Sequence, residues 1–401
     1  MYRINIVLAN NTPHSHTRIA IEYANELIKF GHTVLISYPV VSFYDFIVFE
    51  AFHNISQKVN TMGRLKALLL CGLKIFSKLL NPYKYKFLGD RMVDMDTNII
   101  LNRYVFRPTE FNMPDADVIM VNQDYLLKNL VGLPDKKGVL TGSVHADYKM
   151  VDKNRSIVEM YYDRMILLSK KIDVPRLAVS KTAMESAKNI GIRVDRVINN
   201  GVRESYCENR EVANIIVMLF SSPRKEKGLN DGVEVISNLK KLNLQNISFY
   251  SIGEIDEKSS KLFDFNYGFV TGDNYFKALC KADIFIYPSL HDGFALPALE
   301  AISCQCALVT TLVAGVDEWA INDVNSLVVH PGDVEGMTNG VIRLIENPDL
   351  LTKISNNGVK VSKRYSWYEN TKQLVDFFDF CVDDSHAGKN KKIECAICNG
   401  K

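Results

Sequence analysis

Between Asp283 and Ala301 the chain passes from an apolar run, Asp283-Ile-Phe-Ile-Tyr287, through a short polar loop into Leu296-Pro-Ala-Leu-Glu-Ala-Ile302. The first reads as a buried parallel strand, the last as a helix with proline in its first turn. A strand that runs through a loop into a helix N-terminus is where α/β proteins hold anionic ligands. This loop offers Gly293, where backbone can approach a ligand, and main-chain N–H groups at Phe294, Ala295 and Leu296 expected to be open to an anion. It also carries two carboxylates, Asp292 ahead of the helix and Glu300 within it. Acids spaced to grip hydroxyls beside amides that can grip phosphate point to a nucleotide sugar.

At 401 residues the chain is long enough for two α/β domains, each with its own core. Lys plus Arg number 48 against 46 Asp plus Glu, so no global field points to nucleic acid. Met1 to Ala9 lack the apolar length of a signal peptide and read as a first strand. Nothing reaches the roughly 18 to 20 uninterrupted apolar residues of a membrane span, and a cytoplasmic protein is expected. Cys71, Cys207, Cys280, Cys304, Cys306 and Cys381 are scattered and read as buried thiols, in keeping with that compartment. Cys395-Ala-Ile-Cys398 has redox or zinc spacing, but it sits without a second ligand pair in a Lys/Asn-rich tail, 385–401, read as a frayed terminus.

Taken in order, a strand at Arg3–Leu8, a polar loop at Asn10–His16, a helical pattern over Arg18–Phe30 and a strand at His32–Ser37 form an opening βαβ unit. His14 and His16 read as polar loop residues before ligands. From Ala51 to Gly89 there are seven Lys/Arg and no Asp or Glu. Within that stretch, Arg64–Leu80 divides into an apolar and a basic side at helical period. Two readings stay open: a helix lying on an anionic membrane through 62–86, or one packing its apolar side on the core. Further strands are expected at Pro114–Val121, at Lys137 onward ending on His145, and at Arg176–Ser180. A second α/β domain opens at Asn214–Leu219 and is followed by a basic loop with Arg224, Lys225 and Lys227. Strands at Ile247–Ile252 and Asp283–Tyr287 flank a helical Asn274–Ala282, and 333–383 read as helices.

The stretch around Asp292 resembles the donor signature of retaining GT-B glycosyltransferases of family 4, in which two glutamates with seven residues between them bracket a Gly-Phe-Gly-Leu-Pro-type loop. Here Glu300 stands as the second acid, and the first is shortened to Asp292. Phe220-Ser-Ser-Pro-Arg-Lys-Glu-Lys-Gly resembles the family's "GRLxxxKG" loop, with Lys227 at the lysine position and Ser222 at the arginine position; Arg224 and Lys225 stand nearby. Arg18 to Val34 resembles the N-terminal helix and "GHxV" turn, with Ser15 and His16 where a paired glycine is usual. Gly315-Val-Asp-Glu318 and Asn325–Asp333 resemble the "GGxxE" and "NGxLVxPGD" passages.

The resemblance implies two Rossmann-like domains of a GT-B fold facing across a cleft. Their bounds would be 1–205, completed by a C-terminal helix 366–384, and 213–365. It implies transfer of a sugar from a nucleoside-diphosphate-sugar to a glycan or lipid-linked acceptor, with no cofactor and no metal. Lys227, with Arg224 or Lys225 and the amides of Phe294, Ala295 and Leu296, would hold the departing diphosphate. Asp292 and Gly293 would orient the sugar, His145 would complete its pocket, and Glu300 would fix the ribose. Surface polysaccharide assembly on the inner face of a membrane is the expected setting. A GT-B epimerase or phosphorylase, and a catalytically weak scaffold subunit, remain as alternatives.

Overall fold

A computed structural model describes residues 1–8, 15–39, 95–104, 112–123, 126–131, 133–134, 137–145, 170–204, 207 and 214–386. The basic stretch 62–86, His14 and the tail beyond His386, with Cys395 and Cys398, lie outside the described residues. The chain forms two compact units. The first comprises Met1–Ala178, Met184–Ile198 and Thr371–Lys401, the second Val179–Ala183 and Asn199–Asn370.

The first unit is built on β1 (Arg3–Val7), α1 (Ser15–Lys29), β2 (Thr33–Pro39), β3 (Ile100–Tyr104), β4 (Val118–Val121), α2 (Leu127–Leu130), β5 (Val139–Val144), β6 (Arg176–Ala178), α3 (Lys181–Asn189) and β7 (Arg196–Val197). Its strands run in the order β3-β2-β1-β4-β5-β6-β7, each neighbouring pair parallel. β1, β2 and β4 are buried almost throughout, as parallel strands covered on both faces must be, and their sequences are accordingly near-continuous apolar runs. Helix α1 begins at Ser15 rather than Arg18 and buries Ile19, Tyr23, Ala24 and Leu27. Strand β3 was not expected from its sequence. Ile-Leu-Asn-Arg-Tyr is mostly exposed at the sheet edge and is strand because β2 supplies its hydrogen-bond partners.

The second unit contains β8 (Ile215–Ser221), α4 (Leu229–Lys241), β9 (Ile247–Gly253), α5 (Glu257–Ser260), β10 (Phe265–Asn266), α6 (Gly272–Leu279), β11 (Ile284–Tyr287), α7 (Leu296–Ser303), β12 (Ala307–Thr311), β13 (Leu327–Val329), α8 (Val334–Glu346) and α9 (Pro348–Ser362). A last helix, α10 (Trp367–His386), passes into the first unit from Thr371. The strand order is β10-β9-β8-β11-β12-β13, all parallel. Val217, Leu219, Ile284, Ile286 and Val309 on the sheet pack with Val235, Ile236 and Leu239 of α4 and Met337, Val341 and Leu344 of α8. Each such side chain, fully buried, contributes roughly 1.5 to 3 kcal/mol. Asp333 and Asn347 cap α8 and α9, their side chains accepting from the Gly336 and Leu350 amides.

Two cysteines depart from the expectation. Cys207 and Cys280 form a disulfide, whereas Cys304, Cys306 and Cys381 are buried thiols as expected. Spacing gives no hint of a pair separated by 73 positions; the fold brings the segment after Val202 against the end of α6. The pairing removes cysteine usage as an argument for a reducing compartment. Among the described residues no helix is long and apolar enough to cross a membrane.

Candidate functional site

In the second unit the strand order reverses between β8 and β11, which pair directly through Ile284 with Val217 and Ile286 with Leu219. The loops leaving these two strands therefore emerge side by side at the carboxyl edge of the sheet, where ligands bind in open α/β folds. They are Ser222–Lys227 and Pro288–Ala295, the two stretches singled out in the sequence. The Glu226 carbonyl stitches them together, accepting from the amides of Leu290 (2.9 Å) and His291 (3.1 Å) and from Ser289 Oγ (3.1 Å). Gly228 makes the approach possible. Its φ is +64°, and a Cβ there would lie 1.9 Å from the Pro288 carbonyl oxygen.

Where the loops meet, Lys227 Nζ donates to Asp292 Oδ2 at 2.6 Å and to the Tyr287 hydroxyl at 3.3 Å. The Tyr287 hydroxyl donates to the same Asp292 oxygen in a short hydrogen bond. Asp292 Oδ1 accepts from the Gly293 amide at 2.8 Å and, more weakly, from the Phe294 amide at 3.5 Å. The pair is nearly enclosed, its side chains 8% and 13% exposed. Burial pushes the Asp292 carboxyl up, but the Lys227 charge and the hydrogen bonds from Lys227, Tyr287 and Gly293 outweigh it and hold the pKa at about 2. Burial and the adjacent carboxylate drive the Tyr287 phenol well above its ordinary value.

The amides of Gly293 and Phe294 are thus turned to Asp292 rather than open to an anion, which corrects the expectation for Phe294. Ala295 and Leu296 lead into α7, which carries no side-chain cap. Ala295 itself is left-handed, φ +55° and ψ +44°, at the place where the resembling signature has glycine. Gly315 presses on the underside of this loop; a Cβ there would lie 2.3 Å from Phe294 Cα. Glu300 is buried in the second turn of α7, 3% exposed. Arg224 and Lys225 lie on the exposed outer side of the loop, Arg224 Nε 3.4 Å from Glu226 Oε1. Tyr287 was missed in the sequence, although a tyrosine closing a buried strand next to a lysine and an aspartate loop is a signal, since a buried phenol needs a partner.

In the first unit His145 follows β5, and His16 lies in the first turn of α1. Their rings meet edge to face at 5.0 Å. Ser143 Oγ lies 2.9 Å from His145 Nε2, and Asn122, just past β4, donates to the His16 carbonyl at 2.6 Å. Burial, reinforced by His16, holds the His145 pKa well below its ordinary value, so the ring is neutral at pH 7. Two histidines thus share the carboxyl edge of this sheet too.

Residues 214–347 match the family described as glycosyl transferases group 1. That match covers 134 of the 401 residues, a third of the chain. An uncharacterised glycosyltransferase of Methanocaldococcus jannaschii, MJ1607, is 31% identical over 117 residues, 29% of this chain and 30% of its own length. A second from the same organism, MJ1178, is 24% identical over 294 residues, 73% of this chain and 77% of its own. Among solved structures, Anabaena HepE in complex with UDP-glucose superposes with a TM-score of 0.67 at 14% identity, covering 94% of this chain and all (100%) of that one. At such identity the likeness carries the fold alone, and the two parallel α/β sheets are those of the GT-B architecture. The family match spans β8 to α8, so it contains both loops of the Lys227–Asp292 site.

Proposed function

We propose that the protein transfers a sugar, with retention at its anomeric carbon, from a nucleoside-diphosphate-sugar to a glycan or lipid-linked acceptor. The donor diphosphate binds at the paired loops of the second unit. The observation that carries this reading is a lysine, 7% exposed, held at the carboxyl edge of the strand-order reversal. A buried cation at that place suits a leaving diphosphate, whose charge it offsets. Arg224 and Lys225 add charge at the rim, the Ala295 and Leu296 amides at the entry to α7 add theirs, and Glu300 fixes the ribose. His145 serves the sugar as a neutral imidazole. With this many cations in hand no divalent ion is needed at the diphosphate. HepE was solved with UDP-glucose, which makes uridine the first base to try. Surface polysaccharide assembly, with 62–86 on an anionic membrane, is the setting we favour.

The test is calorimetric binding of UDP, GDP and ADP and of their glucose conjugates, with and without EDTA. One nucleotide should bind the wild type regardless of chelator, and Lys227→Ala and Glu300→Ala should each weaken it by at least about tenfold, 1.4 kcal/mol. Absence of binding, or mutants that bind as well as wild type, would favour a scaffold subunit instead, a reading that Ser222 in place of the family's arginine keeps open.

A further inference from the structure

The Lys227–Asp292–Tyr287 cluster has more to say than that a phosphate-binding lysine is present. A carboxylate offers about four lone-pair sites. In Asp292 all four face protein donors: Oδ2 takes the Lys227 ammonium and the Tyr287 phenol, Oδ1 the amides of Gly293 and Phe294. Asp is one methylene shorter than the glutamate of the resembling signature, and this shortness keeps the carboxylate folded back on its own loop. From there it reaches a lysine 65 positions away at 2.6 Å. An incoming diphosphate therefore meets an ion pair of zero net charge rather than a bare cation.

We infer that Asp292, seated by Tyr287, is a built-in counter-ion for Lys227 that the donor's diphosphate must displace, so that Asp292 restrains the phosphate-binding cation instead of gripping a sugar hydroxyl. This rests on the donor-site reading above. Asp292 and Tyr287 are positioning residues, acting on the diphosphate through Lys227. The carboxylate stays charged at any pH near neutrality, so the restraint is released by competition from the ligand and not by protonation. The two roles open to Asp292 have opposite signatures. A counter-ion opposes the diphosphate whether or not a sugar is attached; a sugar ligand affects only the conjugate.

The experiment is titration calorimetry of wild type, Asp292→Asn, Tyr287→Phe and the double variant with UDP, GDP and ADP and their glucose conjugates. Asparagine keeps the oxygen that accepts from the Gly293 amide, removes the charge, and puts an N–H donor where Oδ2 accepts from Lys227 and Tyr287, so the lysine loses its partner. The nucleoside diphosphate that binds the wild type should bind Asp292→Asn about tenfold more tightly, and its glucose conjugate should gain by the same factor. Tyr287→Phe should give a smaller gain in the same direction, two- to threefold, and the double variant no more than Asp292→Asn alone, because both act through one contact. A tyrosine that only fills space would produce no gain and no such coupling. Should Asp292→Asn fail to fold with Lys227 left uncompensated, the Tyr287→Phe gain or its absence decides the matter. Unchanged nucleoside diphosphate affinity with weakened binding of the conjugate would overturn the inference and return Asp292 to the sugar. Wild type that binds no nucleotide would overturn the donor-site reading, and this one with it.

Discussion

His145 shows how one side chain reports its surroundings. Its pKa is held well below 6.5 in the folded protein, by burial first and His16 second. Below about pH 6.5 the unfolded chain takes up a proton that the folded one refuses, so stability is complete above that pH and declines as pH falls through the window beneath it. Chemical-denaturation midpoints measured from pH 8 to pH 5 should fall for the wild type and fall less for His145→Gln. His32, whose pKa burial also lowers, keeps part of the slope in both. Asp292 does not blur the experiment. Its depressed pKa, about 2, adds stability above the ordinary carboxylate range near 4 that is lost only as pH drops toward 2. At this scale Asp292 and Glu300 stand out by residue type and spacing, and Lys227 and His145 only through the resemblance of their passages to the family's. That Asp292 turns inward could not be read this way, because its direction depends on Lys227 arriving from the loop after β8, 65 positions away.

The entry to α7 is the element on which the candidate site is mounted. Ala295 occupies a left-handed conformation that costs an L-residue roughly 1 to 2 kcal/mol, and glycine would relieve it at a smaller cost in unfolded-chain entropy. Ala295→Gly should therefore stabilise the second unit by about 0.5 to 1 kcal/mol, read as a raised denaturation midpoint; a loss would mean that the Ala295 methyl packs better than its backbone is strained. Most elements of both units were legible because apolar runs and helical periods are local properties. β11 and α7 lie within a residue of their expected bounds. Strand β3 was hidden because it is an exposed edge strand, made by its neighbour rather than by its own pattern. Helix α1 starts at Ser15, three residues before the helical pattern at Arg18, because Ser15-His-Thr reads as loop by its polar side chains although Thr17 is buried, 1% exposed.

On the scale of the whole molecule, the Cys207–Cys280 disulfide ties the segment entering the second unit to the end of α6 across 73 positions. A closure of that length contributes up to about 4 kcal/mol by restricting the unfolded chain. Reduction, or Cys207→Ser, should lower the calorimetric melting temperature of this unit, and wild type and variant should melt alike in reductant. Equal melting of the two under oxidising conditions would show that the bond does not form in solution. The alternation of strands and helices, the two α/β units and the order of the family motifs were all readable along the chain, since each depends on residues within a few turns of one another. The strand order was not, and everything that depends on it came from the fold: Tyr287 meeting Lys227 across 60 positions, the disulfide, and two loops joined through one carbonyl. Periodicity records which face of an element is buried but not which element covers it, and pairing across a sheet is decided by the packing of the whole unit.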